Sequence, residues 1–322
     1  MSSIEAAQFF SNLFPILSGV ATAYYWQEQL FFRFLAGDVP TQVSVPTGLG
    51  KTSVMDVWLL ALAWEAQHRP SARLTPTRLV WVVDRRVVVD QATVEAESLV
   101  KRINECSELR IALSALCVRG DTDAALAVST LRGEFADNRE WSRDPLRPAI
   151  IIGTVDMVGS RLLFSGYGDS IRRRALHAGL LGNDALIVND EAHLTPAFAA
   201  LLSQVGGMSG VKSMLLSATP RGEGADTFPE TMEKDLANPV FEKRYRAVKR
   251  LHLCEHEEPK KELLRLASEP ADRTLVFTRS PEEARKIAAH IESKHNGAQP
   301  ALLTGTQRGW ERDQLSKTEV VR

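Results

Sequence analysis

Cysteine is scarce: Cys106, Cys117 and Cys254 are the only three in 322 residues, and none pairs at a metal-binding interval. That excludes a disulfide-built secreted scaffold and fits a reduced, cytoplasmic compartment. No apolar run approaches the roughly 18 residues of a membrane span, so no membrane role is expected. The first basic residue is Arg33, so the N-terminus lacks the charge of a secretory signal. Net charge is −1, which leaves no global basic field; nucleic acid would have to be held by local clusters. Repeats and low-complexity tracts are also missing. What remains is 44% hydrophobic residues, enough for real cores, in a length suited to about two domains.

The stretch VPTGLGKT (45–52) is where chemistry first shows. TQVSV (41–45) alternates like a short strand, and KTSVMDVWLLALAW reads as a helix. Gly48 and Gly50 allow the backbone to wrap a phosphate, and the helix N-terminus presents free N–H groups to anions. Thr47, Gly48, Leu49, Gly50, Lys51 and Thr52 then form an ATP-binding P-loop. Lys51 reaches the outer phosphates and the Thr52 hydroxyl ligates Mg²⁺. Val45 stands where the strict pattern has glycine. Taken alone, the octapeptide also reads as a chance glycine-rich turn, so its context decides.

That context is ALIVNDEAHL (185–194), an apolar run ending in Asp190 and Glu191. At the end of a strand, Asp190 holds Mg²⁺ through water and Glu191 orients and deprotonates the attacking water. A solvated helix N-terminus would also favour two acids, but the apolar run before them argues for a strand. Further strands are predicted at 78–84, 110–116, 149–158 and 211–220, with a helix after the first. Such alternation builds a parallel sheet with ligands at the carboxyl ends of its strands.

VPTGLGKT, VVDRRVVVDQ, GTVDM, DEAH and LSAT, in that order, resemble the first RecA-like motor domain of superfamily 2 DEAH-type helicases. The wording of VVDRRVVVDQA (82–92), GTVDMVGSRLLFSGYG (153–168) and LLTGTQRGWERD (302–313) is similar to the helicase subunit of type I CRISPR interference systems. The resemblance implies an α/β fold: a RecA-like P-loop domain with its N-terminal segment over 1–222, a linker over 223–271, and an incomplete second RecA-like domain over 272–322. It implies ATP and Mg²⁺ as cofactors and displaced single-stranded DNA as substrate. Its implied partners are an RNA-guided surveillance complex and an HD nuclease domain or subunit.

Roles follow from the same resemblance. Lys51, Asp190, Glu191 and His193 form the catalytic set. Gln27 matches the glutamine that reads the adenine edge, although a solvated helix glutamine is an equal reading. Ser217, Ala218 and Thr219 match the segment coupling hydrolysis to domain closure. Arg85, Arg86 and Thr154 sit in motifs that touch the DNA backbone, and Arg279 is a further strand contact in LVFTRSPEEARKIAAHI (275–291).

Two βα units are expected after residue 272, and no QRxGRxxR-like arginine-finger segment precedes Arg322. No histidine is followed by aspartate, so no HD nuclease is expected in these residues. The reading is therefore a motor that is incomplete as this chain stands; a general DExH or restriction-type translocase, or a non-catalytic ATP-binding module, are the alternatives. Arg172, Arg173 and Arg174, and the basic run 243–250, either neutralise phosphates or form solvated faces. His252, Cys254 and His256 alternate as on a strand, with nothing to supply a fourth metal ligand.

Overall fold

The structure, a computed structural model, describes residues 3–118, 125–131, 139–209, 211–219, 227–248, 250–253, 255–267, 274–294 and 300–304. The chain divides into two compact units, 1–247 and 248–322.

The first unit is built on a seven-stranded parallel sheet. Its strands are β1 (Gln42–Ser44), β2 (Arg78–Val83), β3 (Ala127–Leu131), β4 (Ala149–Thr154), β5 (Ala185–Asn189), β6 (Lys212–Ser217) and β7 (Thr227–Phe228), in the order β3-β4-β2-β5-β6-β1-β7. Side chains alternate across a strand, so each strand serves both faces. Leu79, Trp81, Val83, Ile150, Ile152, Leu186 and Val188 belong to one core, and Val80, Val82, Ile151 and Ile187 to the other. The first face is covered by α1 (Ser3–Ser18), α2 (Tyr25–Leu35), α3 (Val54–His68), α4 (Arg86–Glu105) and α5 (Ser107–Ser114). The second carries α6 (Glu140–Arg143), α7 (Val155–Leu162), α8 (Ile171–Gly182) and α9 (Pro196–Ser209).

Helix α3 explains why the P-loop is held firmly. Every residue from Val54 to Ala66 is buried, so this helix, apolar but for Asp56 and Glu65 over that span, is packed on all sides. Trp58 Nε1 donates to the Pro76 carbonyl at 2.8 Å. Glu65, fully buried, accepts from the N–H groups of Leu74 and Thr75 and from Arg69, tying the end of α3 to the approach to β2.

Residues 110–116, expected as a strand, lie mostly in helix α5. The buried set is Leu109, Ala112 and Leu113, at the i, i+3, i+4 spacing of a helix, while Ile111 is exposed. A strand would have put Ile111 and Leu113 on one face. The expected strand over 149–158 ends at Thr154, where α7 takes over. Strands β3 and β7 have no counterpart in the sequence reading.

The first unit also runs beyond the sequence boundary at 222. Strand β7 pairs with β1, and helix α10 (Pro239–Tyr245) buries Phe241 in the main core. Within this segment Asp235 Oδ1 accepts from the Trp26 N–H at 3.0 Å, and Asn238 Nδ2 donates to Thr22 at 3.2 Å. In the second unit the described residues form α11 (Pro259–Ala267) and α12 (Pro281–Lys294). The run 274–278 has no strand partner among the described residues, and Leu275 and Phe277 are exposed. Of the two βα units expected after residue 272, helix α12 is described, while most of the second falls at 305–322, outside the described residues.

Asp56, buried in α3, has Oδ1 without a hydrogen-bond partner among the described residues. Burial, reinforced by Glu95, pushes its carboxyl from 3.8 up to about 8, against the pull of Arg102. A raised acid keeps its proton in the fold while the unfolded chain releases it. Its contribution is therefore complete below about pH 4 and is lost as pH rises to about 8. Across that window the parent loses up to about 1.4 kcal/mol per pH unit through this group. Asp56→Asn, neutral and of the same shape, removes that slope, so its melting temperature gains on the parent between pH 5 and pH 8. Parallel melting profiles over that range would exclude a protonated Asp56.

Candidate nucleotide and nucleic-acid site

Because all strands run one way, their carboxyl ends share a single rim. Thr154 pairs in register with Val83, and the Asp190 N–H donates to the Val82 carbonyl at 2.8 Å. Ser44 pairs with Ser217. Across the rim the order is therefore Thr154, the Asp84–Arg85 turn, Asp190, Ser217 and the P-loop. β6 lies between the P-loop strand and the acidic strand, and it places Ser217 between their side chains.

The P-loop turns at Thr47 and Gly48, and Gly48 and Gly50 have φ of 84° and 85°, a left-handed backbone natural to glycine. A Cβ on Gly48 would project into open space, which is the cradle itself. A Cβ on Gly50 would stand 2.8 Å from Gln27 Nε2. Among the described residues, no backbone hydrogen bond uses the N–H groups of Gly48, Gly50, Lys51 or Thr52. A short 3-10 turn, Lys51–Ser53, then leads into α3. Unpaired amides around an open turn at a helix start form an anion cradle. Leu49 is buried and anchors the loop, whereas the Thr52 side chain is exposed and available to a cation. The residues present therefore fit ATP phosphates and Mg²⁺.

Lys51 Nζ contacts Glu191 Oε1 at 2.6 Å, joining two motifs 140 residues apart. Glu191 has φ 49° and ψ 48°, a left-handed conformation that bulky residues adopt only under constraint. Its other oxygen lies 3.3 Å from His193 Nδ1, which is 3.2 Å from Ser217 Oγ. The Ser217 hydroxyl donates to the Thr219 carbonyl and accepts the Thr219 N–H. Nδ1 thus faces a carboxylate and a hydroxyl lone pair, so it carries the proton and donates. The result is one chain from Lys51 through Glu191 and His193 to Ser217 and Thr219. Ala218 is the partly buried link between the last two. Asp190 lies beside this chain. Burial, and then the Glu191 charge, push its carboxyl up; Lys51, the Glu191 N–H and the Trp81 side chain pull it down.

Gln27 is buried next to the loop. Its Oε1 accepts from the Tyr24 N–H at 2.7 Å, and Nε2 donates to Ser53 Oγ at 2.5 Å. One N–H and one oxygen lone pair remain for a base edge. The solvated-glutamine alternative is excluded by that burial. Arg85 is exposed at the start of α4, 3.6 Å from the Asp84 carboxylate. Thr154 begins α7. The Arg86 side chain lies outside the described residues. Arg279 is exposed in the second unit, where its N–H meets Glu283. Cys254 also lies outside the described residues, and no metal-binding cluster occurs among those described.

Two positioning groups escaped the sequence reading. Arg244 Nη1 donates to the Gly48 carbonyl at 2.8 Å, so one residue of the 243–250 basic run holds the P-loop from 196 positions away. Asn189, which looks out of place before Asp190, is fully buried and exchanges hydrogen bonds with Thr195 at 3.0 and 3.2 Å. That exchange closes the turn carrying Asp190 to Leu194. Removing one partner strands the other, a loss of about 1–3 kcal/mol. Asn189→Ala and Thr195→Ala are each expected to lose stability on that scale in urea titrations. The double variant should lose clearly less than their sum. Strict additivity would show that the pair does not couple.

Residues 21–222, well over half of the chain, match the family described as ResIII, type III restriction enzyme, res subunit. No curated protein sequence matches. Among matching solved structures is the UvsW helicase from bacteriophage T4, 14% identical, with a TM-score of 0.36. The match covers 68% of this chain and 61% of that one, so this chain spans less than two thirds of that structure. No helix among the described residues is long and apolar enough to cross a membrane. The matched span takes in the P-loop, the Asp190–His193 turn and the Ser217–Thr219 segment, and the chain belongs to this restriction-subunit family of ATP-dependent helicase-type hydrolases.

Proposed function

We propose that this chain supplies the nucleotide-binding part of an ATP-driven DNA translocase that moves along displaced single-stranded DNA. The observation that carries the reading is the continuous contact chain from Lys51 to Thr219, drawn from three strand ends of one rim. Lys51 and the free P-loop amides bind and orient the phosphates. Thr52 and Asp190 would hold Mg²⁺, which supplies charge neutralisation at the phosphoryl group. A phosphate entering the cradle competes with Glu191 for Lys51. Once released, Glu191 is free to position and deprotonate water, and His193 carries the change to Ser217. At the other end of the rim, Arg85 and Thr154 face the DNA backbone.

The motor is read as that of a type I CRISPR interference system, recruited by an RNA-guided surveillance complex and working with an HD nuclease. The wording of segments 82–92, 153–168 and 302–313 supports this. A restriction-type translocase is the second reading, favoured by the description of the matching family.

Lys51→Ala removes the point charge facing the outer phosphates and is expected to lower ATP affinity beyond measurement in a nucleotide titration. Glu191→Gln keeps binding but loses the base, so DNA-stimulated turnover should fall by about 10²-fold or more. A Lys51→Ala chain that binds ATP like the parent would overturn the phosphate assignment. For the setting, the chain is mixed with a surveillance complex carrying an open RNA–DNA hybrid and its displaced strand. Retention on that complex, but not on the same DNA alone, favours the CRISPR reading; equal retention favours the restriction type.

A further inference from the structure

We infer that the loop 163–170 and the first turn of α8 form a platform for single-stranded DNA, with Phe164 and Tyr167 stacking on bases and Arg172 and Arg173 meeting phosphates. The inference rests on the translocase reading above and assigns part of its strand path.

The loop is rigid at its root and apolar at its tip. Asp169 is nearly enclosed, with its carboxylate 3.2 Å from Arg161 Nε and 2.9 Å from His177 Nδ1, both of them buried. Gly166 sits so close that a Cβ would lie 2.2 Å from Asp169 Oδ2 and 2.9 Å from the Arg161 side chain. The Asp169 N–H donates to the Gly166 carbonyl at 3.2 Å, and Gly168 has φ 73°. Glycine at the third position of such a turn puts Tyr167 at its tip. Phe164 has φ 59°, and its N–H donates to the Arg161 carbonyl at 3.1 Å. A left-handed phenylalanine is uncommon and is held only where its surroundings impose it.

Despite this fixed frame, the side chains point outward. Phe164 is 60% exposed, Tyr167 62% and Ile171 82%. The enclosed ionic lock and the buried Gly166 fix the root of the loop while these side chains stay exposed. Beyond the loop, Arg172 and Arg173 are exposed, and no acidic residue occurs between Ser170 and Asn183. Asp169, the acid before them, is committed to Arg161 and His177. Exposed aromatics beside arginines that form no ion pair among the described residues match bases and phosphates on one strand, since stacking tolerates any base and arginine neutralises the backbone. Position agrees: Thr154 begins α7 and the loop follows its end, about 12 Å further along.

The test measures binding of the full chain to labelled oligo(dT) and to an abasic oligodeoxynucleotide of equal length, which keeps the phosphates and lacks the bases. Phe164→Ala with Tyr167→Ala is expected to weaken oligo(dT) binding at least about fivefold and to leave the abasic strand unchanged. Arg172→Ala with Arg173→Ala should weaken both and flatten the salt dependence of oligo(dT) binding by roughly 1.4. All four side chains named are solvent-facing, so melting temperatures should match the parent and serve as the folding control. If the parent binds oligo(dT) and the aromatic variant binds it equally well, the platform is wrong while the translocase reading stands. If the parent binds no single strand at all, both fall. An aromatic variant that keeps oligo(dT) affinity but no longer associates with the surveillance complex would assign the loop to a protein partner and overturn the platform.

Discussion

Parallel strand direction is the constraint on which the rest of this molecule depends. Parallel strands need crossovers, and the crossovers supply the helices that bury both faces of the sheet. They also leave every carboxyl end on the same rim, where loops are free of the ladder. Lys51, Thr154, Asp190 and Ser217 come from four distant stretches of sequence and meet on that rim because their strands share a direction and a register. Strand order then sorts them. The P-loop, Ser217 and Asp190 collect around β1, β6 and β5, and Arg85 and Thr154 around β2 and β4.

Within that frame, electrostatics sets the character of the site. Lys51 is nearly buried and Glu191 about one-third exposed, so their contact at 2.6 Å is only partly screened. Glu191 is at once the partner of Lys51, the neighbour of Asp190 and the contact of His193. A charge with three obligations is sensitive to any fourth. On the proposed reading, a phosphate at Lys51 would change that balance, and side chains already in contact run from there to Ser217.

Much of this was legible in the sequence, for physical reasons that also mark its limits. Strands β2, β4, β5 and β6 are mainly apolar runs bounded by turn residues or by the polar residues of a site, and β1 alternates apolar with polar. Gly48, Gly50, Lys51, Asp190 and Glu191 carry chemistry in their identity and spacing. Residues 110–116 were misread because a short apolar run suits either period, and only the burial of Leu109 with Leu113 decides it. The role of Asn189 has no local signal, because its partner Thr195 lies beyond the motif. Arg244 sat in a basic run that composition alone cannot resolve. Its contact with Gly48 depends on a fold-back that no local pattern encodes.

That fold-back has a consequence for how the protein is made. The Trp26 N–H finds its acceptor in Asp235, 209 residues later, and β1 lacks its outer neighbour until β7 exists. At about 5–20 residues per second, the ribosome needs on the order of 10–40 s to bridge that interval. Throughout it, one edge of the strand leading into the P-loop stays open to other chains. Contacts this remote in sequence form late and slowly. The candidate nucleotide site, whose residues begin near the start of the chain, is therefore among the last parts of the first unit to be completed.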